Sequence, residues 1–115
     1  MNLTEELKKL GVDVDEGLNR VMGDRSLYEM MLGMFVDAVK DNPVSLEEFD
    51  RGDQELLAKR VHMLKGVTGN LSITPLFMGY QKMLGLLRDG CAEAAKMEFE
   101  RILPIQAQIL DCIKQ

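Results

Sequence analysis

Apolar residues recur along this chain at intervals of three and four, and each such run stops at or beside a glycine or a proline. That spacing gathers the apolar side chains on one side of an α-helix, which must then bury that side against other helices. The spacing predicts a short helix over 3–10, capped by Asn2 or Thr4 and closed by Gly11. A second helix runs to about Met22, with Asp13 or Asp15 as N-cap and Gly23 as stop. Asp24 caps a longer helix through Leu27, Met30, Met31, Met34, Phe35, Ala38 and Val39. Asn42-Pro43 interrupts it: Pro43 either starts a fresh turn or kinks a continuation carrying Leu46 and Phe49, and Arg51-Gly52 breaks the chain again.

Asp53 is the expected N-cap of a helix reaching about Leu71, with Glu55 well placed in its first turn. Thr74-Pro75 reads as a capping hydroxyl followed by proline at the first helical position. The helix that follows carries Leu76, Phe77, Tyr80, Met83, Leu84 and Leu87, and stops at Asp89-Gly90. A last helix spans about Cys91 to Ile113, and Pro104 is expected to bend it. Four amphipathic helices of about 15–24 residues with short connections fit an all-α fold, an antiparallel up-down four-helix bundle. The two short N-terminal helices would close one end.

Length and composition narrow the function classes. With 115 residues, 1–115 is expected to be a single domain, large enough to bury a core without staples. The cysteines are Cys91 and Cys112 alone, too few for a disulfide framework and too far apart for a metal knuckle, so a cytoplasmic setting is expected. No segment reads as a signal peptide, and the apolar runs are far shorter than a membrane span, so no membrane insertion is expected. A net charge of −5 argues against nucleic acid as a partner, since that needs a concentrated basic footprint. Nine methionines read chiefly as adaptable core filler, with a smaller share available as a plastic docking surface.

The chemistry concentrates on the chain's one histidine, His62. At about 100° per residue, Leu57, Val61, Leu64, Thr68 and Leu71 form one stripe that Leu56, Met63 and Val67 widen. His62 falls well off that stripe, with Ala58, Gly69, Glu55 and Gly66 around it and Lys59 and Lys65 as its flanks. A glycine inside a helix costs about 0.5–1 kcal/mol relative to alanine. Two glycines beside one histidine therefore need a reason, and removing their Cβ atoms would let a bulky group or a partner's backbone approach the ring.

One histidine without nearby cysteine or paired carboxylates supplies too few ligands for a resident metal, so none is expected. A nucleophilic triad lacks its second base, and no Walker loop brings a nucleotide. The expected role is a carrier and not an enzyme with its own nucleotide site. What remains is His62 as a nucleophile toward a group that a partner delivers. Neutral imidazole is a good nucleophile, and a phosphoryl group accepted on it forms a labile phosphoramidate. Lys65, one turn along, places a cation within reach of the phosphoryl oxygens.

The segment His62-Met63-Leu64-Lys65-Gly66-Val67-Thr68-Gly69-Asn70-Leu71 resembles the His-x-Leu-Lys-Gly-x-x-x-Asn-hydrophobic signature of histidine-containing phosphotransfer (HPt) domains. Gly11-Val12-Asp13-Val14-Asp15-Glu16-Gly17-Leu18, Gly23-Asp24 and Leu27-Tyr28 resemble the family's opening, and Asp89-Gly90 falls at its turn into the last helix. The resemblance implies His62 as phosphoacceptor on Nε2, Lys65 as the stabilising cation and Gly66 as the gap admitting the partner. Ala58, Lys59, Gly69 and Gln81 are the expected docking positions. The implied partners are response-regulator receiver domains and a hybrid sensor histidine kinase, with Mg²⁺ supplied by the receiver and this chain a monomer. Two positions depart from the pattern. Ser72 stands where the family often has glycine, and Leu84 stands where many members place a Gln or Glu that hydrogen-bonds the histidine, which leaves Gln81 as the substitute.

Two other readings compete. A dimerisation and phosphoacceptor domain of a histidine kinase also presents a helical histidine. Its motif has an acidic residue directly after the histidine and a proline soon after, where this chain has Met63 and no proline before Pro75. A helical adaptor that has lost phosphotransfer would keep the fold without the chemistry, but it gives no reason to retain His62, Lys65 and Gly66 together.

Overall fold

Side-chain caps explain where most of the helices begin. A computed structural model describes residues 2–114, and all regular structure among them is α-helical. The order is α1 (Leu3–Lys9), α2 (Val14–Arg20), α3 (Arg25–Asp41), α4 (Glu48–Arg51), α5 (Gln54–Asn70), α6 (Thr74–Arg88) and α7 (Ala92–Lys114). Asn2, Asp13, Asp24 and Asp53 each accept from a free backbone N–H of the first turn: Glu5 at 2.9 Å, Glu16 at 3.1 Å, Leu27 at 3.0 Å and Glu55 at 3.0 Å. Asn2 therefore caps in preference to Thr4, and Asp13 in preference to Asp15.

The start of α6 departs from expectation. Ile73 is its N-cap, without a side-chain bond, and Thr74 is already helical, so Pro75 follows at the second position. The Thr74 hydroxyl instead donates back to the Ser72 carbonyl at 3.3 Å. Proline still fits there, because the amide it lacks would have no partner in the first turn.

After Asn42 the chain takes a fresh turn and not a kinked continuation. The short α4 is tied down from two sides. Arg60 of α5 donates to the Pro43 carbonyl at 3.1 Å and to Glu48 at 2.7 Å, and Lys96 of α7 pairs with Asp50 at 2.8 Å. Phe49 packs on Phe99 with ring centres 5.7 Å apart. The last helix continues through Pro104, which sits inside α7 on an exposed position.

The consecutive helices α5, α6 and α7 make the most extensive contacts, and α3 packs on α5 and α7. The contiguous core draws Tyr28, Leu32 and Phe35 from α3, Leu57, Val61 and Leu64 from α5, Tyr80 and Met83 from α6, and Phe99, Ile102 and Ile109 from α7. Gly79 permits a close approach of α6 and α7: a Cβ there would fall 2.6 Å from the Ile102 side chain. Inside this contact Tyr80 donates to Gln106, so neither buried polar group is unpaired. Among the described residues no helix is long and apolar enough to cross a membrane.

Two packing expectations need correction. The apolar stripe of α5 is narrower than the wheel suggests: Leu56 is 43% exposed and Met63 52% exposed. The methionines are also mostly outside. Met83 is fully buried, whereas Met22, Met30, Met34, Met78 and Met97 are at least 60% exposed. Branched and aromatic side chains fill the centre, leaving the flexible thioethers to cover its outer faces.

Candidate functional site

His62 lies midway along α5 and is exposed, opposite the buried Leu57, Val61, Leu64 and Thr68. Thr68 is buried without penalty because its hydroxyl donates to the Leu64 carbonyl one turn back, at 2.8 Å. No side chain among the described residues hydrogen-bonds the imidazole, so the ring is held only through its helix. Lys65 and Gly66 lie three and four residues on, which makes them its neighbours on the helix surface. Lys59 is exposed and Lys65 half-buried, and neither enters an ion pair among the described residues.

The two glycines separate. A Cβ on Gly66 would meet nothing within 4 Å, so the domain's own packing does not require glycine there. A Cβ on Gly69 would fall 3.0 Å from the Phe77 ring of α6. Gly69 is therefore accounted for by the α5–α6 contact, without any partner.

Three open grooves meet around His62. The largest, about 560 Å³, runs between α5 and α6 toward α2; His62, Lys65 and Gly66 line one wall, and Phe77 and Met78 another. A second, about 410 Å³, places His62 with Ala58, Lys59, Leu84 and Arg88. The third, about 370 Å³, lies between α3 and α5 and is lined by Met31, Met34, Met63 and Val67, with Asp37 and Asp41 beside them. Met63 joins the second to the third, and Asn70 joins the first to the third. Of the docking positions named from the sequence, Ala58, Lys59 and Gly69 line grooves shared with His62. Gln81 is exposed on α6 and makes no hydrogen bond to the imidazole; Leu84, not Gln81, shares a groove with it.

The turn that closes α5 shapes one end of the largest groove. Ser72 adopts a left-handed backbone with φ of 57°. Its N–H bonds the Gly69 carbonyl at 3.2 Å, and the Ile73 N–H bonds that of Thr68 at 2.9 Å. This is the Schellman pattern, in which glycine is the usual residue at the left-handed position. The Ser72 hydroxyl donates to Glu16 of α2 at 2.7 Å, and the Ser72 carbonyl accepts from the Asp13 N–H at 2.9 Å. Those bonds clip the start of α2 to the end of the histidine helix. The Ser72 hydroxyl, and after it Arg20, hold the Glu16 carboxyl below its ordinary range. Nearby, Tyr28 donates to the Leu71 carbonyl at 2.9 Å, and burial, reinforced by Asp13, pushes its hydroxyl up to about 12.

Sequence reasoning found Ala58, Lys59, His62, Lys65, Gly66 and Gly69 of α5, but assigned Met63 and Val67 of this surface to the packed stripe. It did not find Arg88, Phe77 and Met78 of α6, or Met31 and Met34 of α3 as surface groups. The surplus of methionine was the available signal, since thioethers suit adaptable surfaces as well as cores. Comparison with protein-family models, with curated proteins and with solved structures finds no match for this chain.

Proposed function

We propose that this chain is a histidine-containing phosphotransfer domain, a phosphorelay intermediate that accepts a phosphoryl group on His62 from a receiver-domain aspartate and passes it to a second receiver. In this reading α3, α5, α6 and α7 are the four helices of an antiparallel bundle, α1 and α2 close one end, and the domain works as a cytoplasmic monomer. The observation that carries the reading is the pairing of an exposed His62 with Gly66, whose missing side chain serves no contact within the domain. A helix gives up stability at Gly66 beside the one imidazole of the chain. Access for another molecule accounts for that loss.

The chemistry needs little machinery from this side. The imidazole Nε2 lone pair forms an N–P bond as the P–O bond of the aspartyl phosphate breaks, and the aspartate carboxylate leaves with that electron pair. Onward transfer is the same exchange in reverse, to a different carboxylate. Positioning and charge neutralisation dominate such transfers. Lys65 offsets charge on the phosphoryl oxygens from one turn away, with Lys59 and Arg88 on the same surface. The acidic residues and Mg²⁺ belong to the receiver.

Substituting His62→Gln is expected to abolish labelling by receivers charged with acetyl phosphate, with helical circular dichroism retained. Labelling that survives in this variant rejects His62 as the acceptor and with it the proposed function.

A further inference from the structure

Among the described residues six methionines are more than half exposed, and Met63 and Met78 are the two of these that line grooves shared with His62. Met63 shares the second groove with Ala58 and Leu84, and Met78 shares the largest with Phe77. The imidazole thus has an open thioether in each of these two grooves. Met30 and Met97 are as open but line neither groove, and Met83 is sealed in the core. Leucine would serve a purely apolar contact as well, but leucine resists peroxide and a thioether does not.

We infer that Met63 and Met78 form an oxidation site for peroxides: as sulfoxides they close the His62 surface to receivers while leaving the imidazole itself reactive. This inference rests on the proposed phosphotransfer and adds its regulation by oxidant. A sulfur lone pair forms an S–O bond as the peroxide O–O bond breaks. The departing hydroxide takes the proton left on the new oxygen and becomes water, so sulfur loses two electrons and the peroxide gains them. Each sulfoxide carries an acceptor oxygen into an apolar contact. Beside it stand the cations that would otherwise meet the phosphoryl-bearing partner, Lys59 and Arg88 near Met63 and Lys65 near Met78. A polar group buried without a partner weakens association by about tenfold. The buried Met83 is shielded, so the core survives. The change is reversible, because sulfoxide reductases return the thioether. Neither methionine acts on the transferred group; both act through contact with the partner.

The test uses the chain carrying Cys91→Ser and Cys112→Ser, so that thiol oxidation plays no part. This parent is treated alone with hydrogen peroxide, freed of it and offered two donors. Inorganic phosphoramidate transfers its phosphoryl to His62 directly and releases ammonia, without docking. Receivers from the same genome, charged with acetyl phosphate, must dock first. Each rate is compared with that of the same variant untreated, and peptide mass spectrometry locates the added oxygens. Receiver-driven labelling is expected to fall about tenfold and phosphoramidate-driven labelling to hold, with methionine sulfoxide reductases restoring the loss. Met63→Leu/Met78→Leu should keep its own receiver-driven rate through the treatment, whereas Met30→Leu/Met97→Leu should lose it as the parent does. An unchanged receiver-driven rate with oxygen on Met63 and Met78 overturns the inference and leaves the phosphotransfer reading standing. So does Met63 and Met78 staying unoxidised while Met97 gains oxygen, or a fall in Met63→Leu/Met78→Leu as large as in the parent. A fall with both donors together overturns it too, by assigning the damage to the fold. Failure of every receiver to label untreated protein overturns the inference and the phosphotransfer reading alike.

Discussion

Gly66 and Gly69 lie three residues apart on α5, yet their missing side chains have different causes. Both were legible in the sequence as anomalies, because glycine inside a periodic helix is a local cost that needs no tertiary knowledge to notice. Their causes were not legible. Only the fold shows that Phe77 fills the space over Gly69 while the space over Gly66 is empty. The difference predicts opposite outcomes. Gly66→Ala is expected to raise stability by about 0.5–1 kcal/mol, from helix propensity and a smaller unfolded-state entropy. The same methyl beside His62 should slow labelling by receivers. Urea unfolding and transfer kinetics on one preparation check both halves. A variant that gains stability and transfers at the wild-type rate would show that Gly66 is not there for access.

At the scale of elements, local chemistry was legible wherever it was self-contained. Asp24 and Asp53 cap as their sequence positions imply, because an N-cap bond spans only two or three residues. Thr74 misleads for the complementary reason: the Schellman turn that ends α5 hands the chain directly into α6, so Ile73 occupies the cap position. That turn also gives meaning to Ser72, which the sequence marked only as a departure from the pattern it resembles. A left-handed non-glycine residue costs about 1–2 kcal/mol, and the bond to Glu16 offsets part of it. Ser72→Ala and Ser72→Gly both remove the hydroxyl, so their difference isolates the backbone. Ser72→Gly is expected to be more stable than Ser72→Ala by about 1 kcal/mol in chemical denaturation. In both variants Glu16 loses the donor that most lowers its titration. Its carboxyl should therefore titrate at higher pH than in wild type, as followed by NMR. Equal stabilities would mean that the turn is not strained.

For the whole molecule, the wheel of a single helix says how wide its apolar face is, not how much of that face its neighbours cover. Leu56 and Met63 share the apolar side of α5, yet the helices packed on α5 leave both exposed. The ion pairs that join separate helices were equally invisible in the sequence. Glu98 of α7 is the clearest case: it is buried, receives Arg101 from its own helix and Lys82 from α6 at 3.7 Å, and touches the α6–α7 contact on which the core rests. Arg101, and with it Lys82, hold its carboxyl below the ordinary glutamate value of 4.5 against the opposing effect of burial. A folded-state value below the unfolded one means that this carboxylate stabilises the fold above the unfolded value. The contribution is lost as pH falls through the folded value. Acid should therefore weaken the α6–α7 contact progressively below pH 4.5. Glu98→Gln keeps the shape of the side chain and removes the charge. It is expected to lower stability at pH 7 and to flatten the decline in stability below pH 4.5, as read from thermal unfolding across a pH series. Since His62 stands on α5 and not on this contact, phosphoramidate labelling of the variant at pH 7 should persist wherever the chain remains folded. A variant as steeply acid-sensitive as wild type would assign the acid response to other carboxylates.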